Sequence, residues 1–167
     1  MALHLPRDGR DPSAMTTPSL TVHVERTGAV LASDVRTASS IWARFRGLMG
    51  RAGLASGEGL WFPGDASIHM LFMRFPIDAV FLAPDGEGRA TSAAASTGDA
   101  AATGGGDARG GAGGGWRVVA IRGRLRPWIG VVWFVRGARG CLELEAGTAD
   151  RAGLQVGDRL RFEAATG

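Results

Sequence analysis

The sequence predicts a mainly β domain, a β-sandwich or partly open barrel with one or two short helices. Two observations carry this. Short runs of alternating or continuous apolar character recur between Gly-, Pro- and Asp-containing turns, which is how successive strands read. Only one long stretch has a helical period, so helices are too few to alternate with strands in a parallel α/β fold.

Residues 1–18 have no hydrophobic period and read as a disordered tail, with Met15 a second candidate start. Leu20–Arg26 alternates apolar and polar side chains, a half-buried strand with His23 on its solvent phase. Gly28 turns the chain into a second strand around Ala29–Val35. In Ser39–Arg51, Ile41, Phe45, Leu48 and Met49 recur at i, i+4, i+7 and i+8, one face of a helix capped by Ser39 or Ser40. Strand character resumes at Gly59–Phe62. Ser67–Leu82 is almost continuously apolar and predicts two strands, Ser67–Met73 and Ile77–Leu82, broken at Pro76 and closed by Pro84-Asp85-Gly86.

Residues 87–115 are low-complexity Gly, Ala, Ser and Thr. With so few large apolar side chains to offset ordering entropy, they read as a disordered insertion in a single domain spanning 19–164. Trp116–Arg122 is a strand expected to pair with Ile77–Leu82 across that insertion. Val131–Val135 and Cys141–Glu145 follow around a turn at Arg136–Gly140. In the latter, Leu142 and Leu144 face the core while Cys141, Glu143 and Glu145 share the other side. One helical turn at Thr148–Gly153 and a final strand, Arg159–Glu163, complete the chain.

Composition excludes several functions. All 19 basic residues are Arg, and Lys, Tyr and Asn are absent, a pattern that fits a GC-rich genome. The formal charge is only +3 and the arginines are scattered, which disfavours nucleic acid as a partner. Without Lys there is no P-loop or Schiff-base lysine. The single Cys141 permits no intramolecular disulfide, and His4, His23 and His69 form no close ligand pair, so no metal site and no cofactor are expected. No apolar run reaches the length of a membrane span and the N-terminus lacks a signal-peptide core, so no membrane partner and a cytoplasmic location are expected.

Five motifs in order, ARFRGLMGR (43–51), EGLWF (58–62), SIHMLFMRFPIDAVFL (67–82), LRPW (125–128) and LELEAGTADRAGLQVGDRL (142–160), resemble the bacterial and archaeal family called domain of unknown function 192. The resemblance implies a compact, jelly-roll-like β fold and no established activity. It matches Arg44, Gly47, Leu48 and Met49 to an Arg-x-x-Gly-Leu-Met helix, and Gly59 to a glycine before a hydrophobic strand. Met70 falls on the methionine of a Trp-Met-Lys-Asn-Thr segment. Pro76, Ile77 and Asp78 fall on Pro-Leu-Asp, and Glu143, Gly147, Gly157 and Asp158 on C-terminal positions. This chain departs from that pattern at His69 and at Leu71-Phe72-Met73, where the family's Lys-Asn-Thr is missing.

The candidate functional residues are Asp78, His69, Arg74, Arg44 and Met70. Asp78 shares a strand phase with Val80 and Leu82, so its carboxylate must be partnered if buried. Its bland reading, an ion pair or turn-fixing hydrogen bond with Arg44, Arg46 or Arg74, is favoured. The rival is a carboxylate beside His69 and Arg74 that binds a polar ligand or moves a proton. His69 alternates with Leu71 and Met73 and reads first as a core or rim histidine. Cys141 reads as inert, Asp158 as a turn residue, and the aromatic and Met surplus in 61–75 mainly as core, with part of it open to a pocket or an interaction patch.

Three functions remain. The first is a non-catalytic binding or accessory module with a small pocket near residues 61–78, taking a small-molecule or protein ligand. The second is a small enzyme using Asp78, His69 and an arginine. The third is a PDZ-like peptide binder, suggested by GTADRAGLQVGDRL and RGLMG.

Overall fold

A computed structural model of the chain describes residues 19–38, 52–86 and 115–165. The expected helix at Ser39–Arg51, the N-terminal tail and positions 87–114 of the insertion lie outside the described residues. Nine strands and one short helix are described. The strands are β1 (Leu20–Val24), β2 (Val30–Thr37), β3 (Glu58–Pro63), β4 (Ile68–His69), β5 (Ile77–Pro84), β6 (Gly115–Leu125), β7 (Val131–Val132), β8 (Gly140–Glu145) and β9 (Arg159–Ala164). The helix, α1 (Thr148–Arg151), lies between β8 and β9.

Seven strands form a closed barrel in the order β1-β2-β3-β8-β5-β6-β9, while β4 and β7 form a separate two-stranded sheet. The fold is mainly β, as the sequence predicts, and its main sheet closes into a barrel, which is compatible with the barrel alternative and not with two facing sheets. Closure comes from β9 pairing with β1 over Leu20–Val24, with Val22 opposite Phe162. β2 and β3 run parallel, and the other barrel pairs are antiparallel. The hairpin expected across the insertion forms between β5 and β6, where Asp85 N donates to Gly115 O at 2.8 Å.

Two apolar clusters lie on either side of the barrel wall. The first contains Val22, Val35, Trp61, Val80, Leu82, Leu142, Leu144 and Phe162. Trp61 packs edge-on against Trp116 at 4.7 Å between ring centroids, and 5.0 Å from Phe162. Gly140 makes room for this group, because a Cβ there would collide with the Trp61 indole. The second cluster, on the opposite wall face, contains Phe62, Ile77, Ala79, Phe81 and Cys141, covered by Ile68, Met70, Met73, Phe75 and Val135. Strand β5 is therefore buried on both faces, which is why its sequence is continuously apolar instead of alternating.

Two strand expectations change. Ser67–Met73 contributes only the two residues of β4, and Val131–Val135 only the two of β7. In both segments the chain turns away almost at once, at Leu71-Phe72 and after Val132. The backbone groups that a longer strand would pair are used in bonds between loops instead. The β5–β6 register also slips twice, between Phe81 and Leu82 and between Ile77 and Ala79. Such bulges re-aim side chains and backbone groups. The first puts Val118 with one cluster and Ala120 with the other.

Candidate functional site

Asp78 is buried, 1% exposed, and pairs with Leu144 on the face of the first cluster. Its carboxylate accepts three backbone N–H bonds. Oδ1 takes Arg124 at 2.8 Å and Gly147 at 3.0 Å, and Oδ2 takes Ala149 at 2.9 Å. The second register slip of β6 delivers the Arg124 donor, at a residue with φ of 49°. The other two donors belong to the β8–α1 corner. Gly147, at the helix N-cap with φ of 86°, supplies no side-chain cap, so Asp78 caps α1 from another strand. The anchoring partners are thus backbone amides, where the sequence reading named arginine side chains.

His69 lies in β4 opposite Val131, half-buried. Its neighbours Ile68 and Met70 belong to the second cluster, together with Ile77, Ala79 and Phe81 of β5. β4 therefore packs on the face of β5 opposite to the one carrying Asp78. Arg74 is exposed and makes no ion pair with a described residue. Arg44 lies outside the described residues. Cys141 and Glu143 share one face of β8, as expected, and both are buried there, at 2% and 1% exposure.

Met70 is fully buried and organises its surroundings. Its N–H donates to Gly130 O at 2.7 Å, and its carbonyl accepts from Trp128 at 2.9 Å and Met73 at 3.1 Å. Gly130 N in turn donates to Arg126 O at 2.9 Å. A Cβ at Gly130 would stand 2.7 Å from that carbonyl and 2.8 Å from Met70 Cγ, so the two loops close on each other only around glycine. The segments 70–74 and 126–136 are thereby locked into one surface.

That surface is apolar and exposed. Trp133 is 85% exposed, Ile129 71% and Phe134 69%, with Trp128, Phe72, Leu71 and Val131 also open. Phe72 and Trp128 meet edge-on at 5.5 Å, and both hold φ near +65 to +69°, a conformation L-residues rarely adopt. Exposed Arg74, Arg126 and Arg136 flank these rings. The sequence reading missed the 126–136 half. Its signal was present in RPWIGVVWFVR: adjacent Trp133-Phe134 breaks the two-residue period of a strand, and Pro127 and Gly130 forbid a long one. The aromatics of 61–75 read mainly as core, with part of them open to a pocket or an interaction patch; Trp61, Phe62 and Phe75 are buried and Phe72 is exposed.

Two other features complete the map. Asp158 accepts from Arg26 Nε at 2.7 Å and from Gln155 N at 2.9 Å, fixing the turn before β9 as expected. The Arg26 hydrogen bond holds the Asp158 carboxyl below its ordinary value, against the opposing effect of burial. A cleft of ≈340 Å³ runs between residues 29–33, Ser56, Gly57, Thr148, Arg151 and Ala152, away from residues 61–78. Among the described residues no three His, Cys, Asp or Glu side chains are grouped to hold a metal ion, and no helix is long and apolar enough to cross a membrane.

Two solved structures share the fold. One is a proposed transcription regulator from Sinorhizobium meliloti 1021, 22% identical, with a TM-score of 0.58 over 87% of this chain and 92% of that one. The other is a protein of unknown function from Novosphingobium aromaticivorans DSM 12444, 21% identical, with a TM-score of 0.57 over 86% of this chain and 83% of that one. At these identities the likeness concerns the fold alone. No curated protein matches the sequence. The family profile for domain of unknown function 192, described as "Uncharacterized ACR", matches residues 22–107. That match spans β1 to β5, including Met70 and Asp78, and ends before the LRPW and LELEAGTADRAGLQVGDRL motifs. With just over half of its length matched, the chain belongs to the domain of unknown function 192 family.

Proposed function

We propose that this protein is a non-catalytic binding module whose contact face is the aromatic–arginine surface of residues 70–74 and 126–136. The observation that carries the reading is the exposure of Trp133, Ile129 and Phe134 on a surface pinned from below by buried Met70. Contiguous exposed apolar surface with a polar rim is the usual mark of an interaction site. Phe72 and Trp128 are held at positive φ, which costs backbone energy, and their rings remain about half exposed. The contact face overlaps the region of residues 61–78 where the sequence predicts a small pocket; it includes Arg74 and rests on Met70.

The alternative enzyme reading needs Asp78, His69 and an arginine to converge. Asp78 instead has its oxygens committed to Arg124, Gly147 and Ala149, on the far side of β5 from β4. The PDZ-like reading needs a free strand edge beside a helix near residues 46–50; the seven barrel strands are closed, and residues 46–50 lie outside the described residues.

The test compares Asp78→Asn with Trp133→Ser/Phe134→Ser by thermal unfolding and by amide chemical-shift mapping against metals, metabolites, acidic peptides, single-stranded DNA and vesicles. The reading expects Asp78→Asn to lower Tm, and any bound ligand to perturb amides of 70–74 and 126–136. Perturbations centred on Asp78 and His69, abolished by Asp78→Asn in a folded protein, overturn it in favour of the enzyme.

A further inference from the structure

Resting on that reading of the contact face, we infer that its partner is the surface of an anionic lipid membrane, into which Trp128, Ile129, Trp133 and Phe134 insert while Arg74, Arg126 and Arg136 meet the headgroups.

The first argument is exposure. Trp133, Ile129 and Phe134 stand 69–85% exposed, so they project into solvent and do not line a groove. A projecting apolar tip needs a soft apolar medium to receive it, whereas a protein partner would have to supply a matching cavity. Tryptophan is enriched where a membrane meets water, since its indole buries a large apolar area and keeps an N–H for the headgroup region. The two loops are also tied to each other by the Met70–Gly130 and Met70–Trp128 backbone bonds, and buried Met70 packs with Ile77, Ala79 and Phe81 of β5, so little ordering entropy remains to be lost on insertion.

Charge is the second and independent argument. Residues 66–76 and 123–140 contain no Asp or Glu. Arg74, Arg126 and Arg136 are exposed and make no ion pair with any described residue. Outside these segments Arg26, Arg117, Arg151 and Arg159 are paired with carboxylates, and within the second Arg124 is paired with Asp150. Asp65 stands at the edge of the surface, next to Ala66, whose carbonyl accepts from Val135. Unpaired cations beside projecting aromatics are complementary to a negative lipid surface, where each adds to the attraction. The sequence expectation of no membrane partner rests on the lack of a spanning run and of a signal-peptide core, and a peripheral contact needs neither.

The experiment is co-sedimentation of the full chain with phosphatidylcholine vesicles and with equimolar phosphatidylcholine–phosphatidylglycerol vesicles, at low and high salt. Wild type is expected to pellet with the anionic vesicles and to be released by salt. Trp133→Ser and Phe134→Ser should each weaken binding about tenfold, in line with losing one buried large side chain. Arg74→Gln, Arg126→Gln and Arg136→Gln should each cost about fivefold on anionic vesicles and leave the neutral ones unaffected. All five variants must keep the wild-type Tm. Absence of vesicle binding by wild type, or binding indifferent to these substitutions, overturns the membrane inference. If single-stranded DNA or an acidic peptide binds through the same residues while vesicles do not, the contact face stands and its lipid partner falls. Amide perturbations centred away from 70–74 and 126–136 would remove both.

Discussion

Asp78 joins three distant parts of the chain with one carboxylate, and the consequence is thermodynamic. Asn in its place keeps one acceptor oxygen but presents an amide N–H₂ to at least one of the backbone donors of Arg124, Gly147 and Ala149. Leaving a buried donor unsatisfied costs about 1–3 kcal/mol, and losing a charged acceptor adds about as much again, so Asp78→Asn should lower stability by about 2–6 kcal/mol in a denaturant titration. Asp158 and Asp85 make a contribution that depends on pH. Hydrogen bonds from Arg26 and Arg117, respectively, hold their carboxyls below the ordinary carboxylate value. A carboxylate depressed in the folded state contributes stability above its unfolded pKa, about 4, and that contribution is lost as pH falls toward the lower folded value. Tm should therefore decline below about pH 4. Asp158→Asn, lacking that titration, should show a shallower decline when Tm is followed from neutral to acid pH.

At the scale of elements, two close approaches decide whether strands and loops can meet. Gly140 opens β8 and lets the Trp61 indole lie against the strand. Gly140→Ala forces the ring or the strand to move, and overpacking of this kind costs about 1–3 kcal/mol, measurable by chemical denaturation. Gly130→Ala meets Arg126 O and Met70 Cγ instead, in the layer outside the barrel. Its expected signature is local: faster amide exchange at Trp128 and Gly130, with protection in β5 and β8 unchanged. The insertion provides a third case. Its two ends are already bonded, Asp85 N to Gly115 O, and Asp85 is further held by Arg117 and Arg159 at 2.8 Å each. Replacing 87–114 by an Asn-Gly turn should keep the barrel and raise stability by up to about 2 kcal/mol through a smaller loop-closure entropy, read as a higher Tm.

For the whole molecule, the closed barrel and its second, outer layer divide the work. The barrel's interior aromatics and aliphatics supply the burial that drives folding. The outer layer, from 64–76 and 126–139, covers one wall face and turns its remaining aromatics outward. Stability and binding should therefore separate on mutation. Trp133→Ser/Phe134→Ser is expected to change unfolding free energy by no more than about 0.5 kcal/mol, as exposed positions usually do, while abolishing the surface's interactions. A large loss of stability from that pair would place these side chains in the core.

Much of the fold was legible in the sequence. β1, β2, β5, β6, β8 and β9 follow from side-chain period and turn residues, because a strand's alternation is a local property of the chain. The β5–β6 hairpin was legible too, since the apolar segments on either side of the insertion both read as strands. In the candidate site, Met70 and Asp78 were legible as residues that must be buried or partnered. Their partners were not. The three amides on Asp78 come from 46 to 71 residues away, and neither closure by β1–β9 pairing nor the Met70–Gly130 bond leaves a local signature. Which aromatics would face solvent was equally hidden: Phe62 and Phe72 look alike in sequence, and only the packing of the outer layer buries one and exposes the other. The sequence by itself determined the strands and the polar groups needing partners. The tertiary structure decided closure, partnership and exposure, because each depends on which distant surfaces meet.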